Sequence, residues 1–381
     1  MLSLFMEEQH HVYRKTMRDF VSREIEPYID QWERQEEVPL ELYRKVGELG
    51  FFGLKFPEEY GGGGDDYLGQ AIWVEELARC NCGGVAAALG AHTEIALPAV
   101  AKFGSEKQKQ DYLVPGINGE KIACLAITEP DAGSDVASIS TRAEKDGDSY
   151  IVNGTKMFIT NGVKANFAVL AVKTLKEAGH MGISLLLVDK KTPGFTVGRK
   201  LDKLGWRCSD TAELIFQDCR VPAENLIGEE NQGFYYIMQN FQWERLVLAL
   251  GSVAGSDEML KQTIAYIKQR QQFGRPISSF QAIQHRLADL MSSLEAARQL
   301  NYSALIKLNR GENILKESTM AKLFACDVSK KVADECLQFH GGYGYMMEYP
   351  VQRFWRDERI NSIGGGTSEI MRQILASGYI V

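Results

Sequence analysis

The chain has 381 residues, of which 45% are hydrophobic and 24% charged, and its net charge is −7. These values fit an ordinary folded globular protein with room for more than one domain. The acidic balance excludes the basic face that a nucleic-acid binder or a polybasic membrane patch requires.

The opening segment, MLSLFMEEQHHVYRK, has neither a long apolar core nor a basic leader, so no signal peptide is expected. No apolar run reaches the roughly 18–20 residues of a membrane span, and the tail ASGYIV is not a peroxisomal address. Seven cysteines are scattered without a C-x-x-C pair. They predict reduced thiols, a cytoplasmic location and no metal site, Cys80 and Cys82 included.

The first third reads as helical. Pro39 precedes Leu42, Val46 and Leu49 at helical spacing, and Gly50 closes the segment. Ser105 to Gln108 has the form of a capping box. Gly61–Gly64 predicts a flexible turn, because no strand leads into it and no Gly-Lys-Ser/Thr follows, as a phosphate loop would need. Near residue 121 the texture changes to strands. Asn153-Gly154, between Tyr150-Ile151-Val152 and Met157-Phe158-Ile159, predicts a hairpin. FAVLAV (167–172), ISLLLV (183–188) and AELIF (212–216) predict further strands. Helix returns after Gly233, and Leu287, Leu290, Met291 and Leu294 predict one buried stripe. The expected layout is α+β: a helical domain over 1–120, a β domain over 121–228 and a helical bundle over 229–381. Nothing shows the βαβ alternation of a doubly wound sheet, a Rossmann fingerprint or a Walker motif.

Six strings carry the functional signal: LAITEPDAGSD (125–135), FITNG (158–162), QWERLVLA (242–249), KQRQQFGRPISSFQAIQHRLADL (268–290), QFHGGYG (338–344) and IGGGTSEI (363–370). In order and spacing they resemble the acyl-CoA dehydrogenase family over nearly the whole chain, from about residue 5 to 381. The resemblance implies that family's fold, with an N-terminal helical domain, a small middle β-barrel domain and a C-terminal helical bundle. It implies FAD as cofactor. Leu125, Ile127 and Thr128 would face one side of the flavin ring, and Phe158 and Thr160 the other. Phe158 stands where members often carry Trp. Ser134 would lie near both the flavin phosphates and CoA. Arg270, on the pyrophosphate, and Phe273 would reach the FAD of a neighbouring subunit, as would the glycines Gly341 and Gly342 beside Gln338. Gln281, Thr367 and Glu369 would complete the cofactor site.

Many members carry a Glu just before the Gly-Thr pair, and it removes the substrate's α-proton. Here that position is Gly365, which has no side chain to take a proton. Glu244 stands where the isovaleryl-CoA and long-chain acyl-CoA dehydrogenases carry their base, flanked by Trp243, Leu246, Val247, Leu248 and Leu250. Burial there would raise its pKa toward that of a useful base. The resemblance further implies hydride transfer from the β-carbon to the flavin, with the thioester oxygen held by a ribityl hydroxyl and the Gly365 N–H. Tyr235, Gln242, Trp243, Arg245, Gly365 and Gly366 would line the substrate channel. Ala86, Ala87, Ala88, Gly90 and Ala91 would leave volume for a medium-to-long or branched acyl chain, or permit close helix packing instead. The implied partners are an acyl-CoA, an electron-transferring flavoprotein and further copies of the chain, in a homotetramer built as a dimer of dimers. The alternatives are a dehydrogenase of acyl groups on acyl carrier protein and a non-catalytic acyl-CoA or flavin binding protein.

Overall fold

The computed structural model describes residues 6–64, 66–176 and 178–380. The reading of the first five residues as no signal peptide lies outside them. Helices come first: α1 (Glu8–Glu24), α2 (Ile29–Gln35), α3 (Leu40–Glu48), α4 (Tyr67–Ala78) and α5 (Gly83–Gly90). A π-turn over Ala91–Ala96 leads into α6 (Leu97–Phe103), and short helices α7 (Glu106–Gln108) and α8 (Val114–Ile117) follow. Seven strands form one sheet: β1 (Ala123–Ala126), β2 (Arg142–Asp146), β3 (Ser149–Thr160), β4 (Phe167–Lys173), β5 (Ile183–Asp189), β6 (Phe195–Lys200) and β7 (Thr211–Pro222). The C-terminal part holds the 37-residue α9 (Gly233–Gln269) and a small hairpin, β8 (Gln271–Gln272) and β9 (Arg275–Pro276). It ends with α10 (Gln281–Asn309), α11 (Leu315–His340), α12 (Pro350–Glu358) and α13 (Ser368–Ile380). The layout is helices, sheet, helices, as the sequence predicts.

Local chemistry accounts for most element ends. Pro39 is the N-cap of α3, Leu42 and Val46 are buried, and Gly50 ends the segment at φ +75°. The capping box of α7 forms, with Ser105 Oγ accepting from Gln108 N and Gln108 Oε1 accepting from Ser105 N. Strands β4 and β5 are buried on both faces, which is why each reads as an unbroken apolar run. They pair antiparallel with Leu170 opposite Leu186. The sheet runs β1-β4-β2-β3-β7-β6, and β5 pairs with β4.

The hairpin expected at Asn153-Gly154 does not form. β3 runs straight through it, and the turn into β3 lies upstream, where Asp146 pairs with Ser149 across Gly147-Asp148. A bulge falls between Val152 and Gly154 against β7. Asn153 fills the interrupted ladder with its amide, donating to Asp218 Oδ1 and accepting from Asp218 N. Glycine is required at 154 for a different reason: φ is +153°, and a Cβ would lie 2.4 Å from Thr141 Oγ1.

Three further expectations need correction. Gly61–Gly64 is a packed, bonded turn and not a flexible one: its four N–H groups bond to the carbonyls of Glu58, Pro57, Gly53 and Phe56 in turn. A Cβ on Gly62 would fall 2.0 Å from Phe56 O. In α10, Leu290 and Leu294 are buried but Met291 is 55% exposed, because it sits off the seam against α11. Gly83–Phe103 does have the length and hydropathy of a membrane span, yet 67% of that window is buried inside the fold.

Specific polar contacts join the three parts. Asp357 of α12 accepts from Gly83 N at 2.8 Å and from Trp206 N at 2.6 Å. Tyr43 donates to Asn161 Oδ1, and Asn161 donates to Ala88 O, so the Asn of FITNG fastens the end of β3 to α5. The Cys82 and Cys208 sulfurs approach to 3.5 Å, with Glu33 Oε1 accepting from Cys208 N.

Gly154→Ala is expected to lose about 1–3 kcal/mol of stability through overpacking against Thr141. Urea denaturation measures it, and an unchanged midpoint would show that β2 yields freely there.

Candidate active site

The first wall of the site is the exit of β1. Leu125 and Thr128 are half-buried and Ile127 is buried. Thr128 O accepts from Met157 N at 2.8 Å, which ties this exit to β3. Lys156, fully buried, donates to Ile127 O at 2.9 Å and to Glu129 Oε1 at 2.8 Å. Glu129 also accepts from Ser140 N, Ser140 Oγ and Thr141 N. Burial works against its charge, but Lys156 and those donors outweigh burial and hold the carboxyl at about 2. This knot fixes the start of the polar turn Pro130–Asp135, on which Ser134 is exposed.

The next residues of β3 present the second wall. Phe158 adopts φ +62°, and its ring is 65% exposed. The left-handed backbone falls where the β3–β7 register shifts, between Lys156 and Ile159, and it turns the Phe158 side chain outward. Thr160 lies two residues on, half-buried.

The catalytic candidates lie on α9 and the loop before α13. Glu244 is 5% exposed, and its Oε1 has no hydrogen-bond partner among the described residues. Burial pushes its carboxyl up to about 8, against the opposing pull of Arg245. Arg245 is itself buried, with its guanidinium 5.5 Å from the Phe241 ring and its Nε unpaired. Burial pulls its pKa down.

Gly365 and Gly366 adopt φ +64° and +97°. Lys322 of α11 pins this loop, donating from Nζ to Gly364 O at 2.8 Å and to Gly366 O. A Cβ on Gly365 would meet Leu248 Cδ1 at 2.8 Å, and one on Gly366 would come 4.0 Å from Arg245 Nη2. Leu248 is one turn beyond Glu244 on the same face of α9. The loop therefore lies directly on the helix turn that carries Glu244, and it has no side chain of its own there.

The remaining predicted residues are placed unevenly. Tyr235 is 44% exposed, beside His180. Gln242 turns its Oε1 to Ile314 N at 2.8 Å, at the start of α11. Trp243 points into the core, where its indole donates to Glu94. Thr367 caps α13, its Oγ1 accepting from Ile370 N, and Glu369 is exposed in the first turn. Arg270, Gln281, Gln338, Gly341 and Gly342 are all exposed, and Phe273 is 92% exposed. The Arg270 guanidinium lies 5.5 Å from the Tyr343 ring, next to the two glycines, where an added Cβ would meet nothing within 4 Å. Flat apolar rings, an exposed guanidinium and open glycine backbone fit a flavin dinucleotide with aromatic and phosphate parts. Sequence reasoning missed Lys322, the Glu129–Lys156 knot and the contact between Leu248 and the glycine loop. A lysine inside the apolar run of α11 was the available signal for the first.

Residues 7–120, 124–219 and 231–380 match, in turn, the N-terminal, middle and C-terminal domains of acyl-CoA dehydrogenases. The chain is 41% identical over 373 residues to the mitochondrial long-chain specific acyl-CoA dehydrogenase of Sus scrofa, covering 97% of this chain and 86% of that protein. It is 40% identical over 374 residues to the mitochondrial short-chain specific acyl-CoA dehydrogenase of Mus musculus, covering 98% and 90%. The crystal structure of an acyl-CoA dehydrogenase from Geobacillus kaustophilus superposes with a TM-score of 0.96 at 43% identity, covering 99% of each chain. The chain belongs to the acyl-CoA dehydrogenase family of FAD-dependent oxidoreductases.

Proposed function

We propose that the protein dehydrogenates a saturated acyl-CoA to the trans-2-enoyl-CoA, with Glu244 as the base. The observation that carries this reading is a buried, unpartnered carboxylate on α9 beneath a loop with no side chain to offer. An α-hydrogen beside a thioester is far too weakly acidic for a solvated Glu. Two features close that gap. Burial raises the basicity of Glu244 to about 8. The Gly365 N–H would donate to the thioester oxygen, where charge develops as the proton leaves. Arg245 and Lys322 both place positive charge near the loop and would favour that charge further. FAD, when bound, supplies the acceptor for the β-hydrogen. Leu125, Ile127, Thr128, Phe158 and Thr160 would hold its ring. Arg270, Phe273, Gln281, Gln338, Gly341 and Gly342 would serve the cofactor of a neighbouring copy, which supports a homotetramer.

A medium-to-long or branched acyl chain is favoured. Ala86, Ala87 and Gly90 share one half-buried side of α5, and a Cβ on Gly90 would meet only Glu94 Cγ at 3.9 Å. Relatives named long-chain and short-chain are about equally similar, so the small residues along α5, and not identity, support this choice. Electrons would pass on to an electron-transferring flavoprotein.

Three outcomes follow. Anaerobic titration of the FAD-loaded protein with saturated acyl-CoAs of graded length should bleach the flavin, and Glu244→Gln should slow bleaching at least ~10²-fold. Equal bleaching by the variant would remove Glu244 from the reaction, and no bleaching of the wild type by any acyl-CoA would favour an acyl-carrier substrate or a binding role. With kcat/KM as the readout, activity should rise with pH and level off above about 8 as Glu244 loses its proton. A raised folded-state pKa stabilises the fold below the unfolded value and loses that contribution as pH rises through the folded value. The melting temperature of Glu244→Gln relative to wild type should therefore climb from about pH 5 and level off above about pH 8. A pH-independent difference would mean that Glu244 titrates normally.

A further inference from the structure

The π-turn Ala91–Ala96 carries three consecutive buried polar residues, His92, Thr93 and Glu94. Each is fully engaged. His92 accepts from Ala123 N at its Nδ1, at 3.0 Å, which leaves its Nε2–H to donate to Gly116 O at 2.9 Å. Burial holds this imidazole neutral, with its pKa pulled down to about 4. Thr93 donates to Phe52 O at 2.8 Å. Glu94 accepts from Trp243 Nε1 at 2.7 Å, Lys55 Nζ at 2.6 Å and Gln70 Nε2 at 2.7 Å. All four of these side chains are buried.

The position of this cluster matters more than its composition. Ala123 stands at the head of β1, two residues before Leu125 of the flavin wall. Trp243 is the residue immediately before Glu244. One wide turn of backbone thus grips the cofactor strand at one end and the base-bearing turn of α9 at the other. Successive side chains on a helix point about 100° apart, so fixing the Trp243 indole fixes the direction in which Glu244 leaves the helix. An apolar contact would bury Trp243 as well, and a buried ion pair is seldom more stabilising than apolar packing. What a charge-assisted hydrogen bond adds is direction. π-turns within helices often occur at functional sites.

We propose that Glu94 and Trp243 are positioning residues for the dehydrogenation: through them the π-turn sets the orientation and burial of Glu244 relative to the flavin wall. The inference rests on the reading of Glu244 as the base. Trp243→Phe keeps a ring and removes the N–H donor. Lys55→Met/Glu94→Leu removes the acceptor together with the charge it would strand, and Lys55→Met/Glu94→Gln keeps an acceptor oxygen.

The test measures two things in the FAD-loaded protein. The first is the pH dependence of anaerobic flavin bleaching by a saturated acyl-CoA, together with product enoyl-CoA binding. The second uses no turnover: the pH at which the melting-temperature difference between each background and the same background carrying Glu244→Gln levels off. Trp243→Phe and Lys55→Met/Glu94→Leu should bleach roughly 10- to 100-fold more slowly. Product binding should stay within about twofold, and the levelling pH should fall by about one unit as water reaches the carboxylate. Lys55→Met/Glu94→Gln should return both readouts toward wild type. If the first two variants lower the melting temperature but keep the wild-type rate and levelling pH, the cluster is structural only and the proposal falls. If the wild type is not bleached while the levelling pH still moves, positioning stands and the assigned reaction fails.

Discussion

Everything at this site depends on one carboxylate that the fold buries and leaves without a hydrogen-bond partner on one oxygen. Burying a charge without close compensation is costly, and that cost raises the Glu244 carboxyl to about 8. The same burial makes the carboxylate a strong base once the proton is gone. Arg245, next in sequence, points elsewhere around α9 and lowers the pKa only in part. A direct ion pair there would have lowered the carboxyl's pKa and made it a weaker base.

The surrounding structure reads as support for that arrangement. Lys322 holds the glycine loop by two of its carbonyls, and the loop in turn lies against Leu248 and near Arg245. The left-handed backbone at Gly365 and Gly366, together with the contact to Leu248, explains why no side chain occupies the loop. A glutamate at 365 would have to displace Leu248 and strain the backbone. On the proposed reading the base therefore comes from the helix side. On the opposite wall, the Glu129–Lys156 knot ties the polar turn after β1 to β3, so the two faces that would enclose the flavin ring are bonded to each other.

Much of this was legible in the sequence. The apolar flanks of Glu244, the missing side chain at Gly365, the doubly buried strands β4 and β5 and the capping box at Ser105 follow from local composition and spacing. What local patterns could not show was pressure from distant chain. Asn153-Gly154 has the composition of a turn, but its glycine answers to Thr141 and its asparagine to Asp218. Gly61–Gly64 reads as loose until the carbonyls of Gly53, Phe56 and Pro57 are found holding it. The burial of Lys55, Glu94 and Lys156 depends on partners distant in the chain, which local pattern does not show; for Lys322 the apolar run around it was the one local sign. Gln242 and Trp243 immediately precede Glu244 in sequence, yet both side chains turn away to Ile314 and Glu94.

The most direct test of the account is a spectroscopic titration of the Glu244 carboxyl itself, by infrared difference between wild type and Glu244→Gln across pH 5 to 10 in the FAD-loaded protein. The account predicts a protonated-carboxyl band, absent from the variant, that disappears with a midpoint near 8. A band lost already near the ordinary glutamate range, at about 4–5, would contradict it, because the buried carboxylate would then be no stronger a base than one in water.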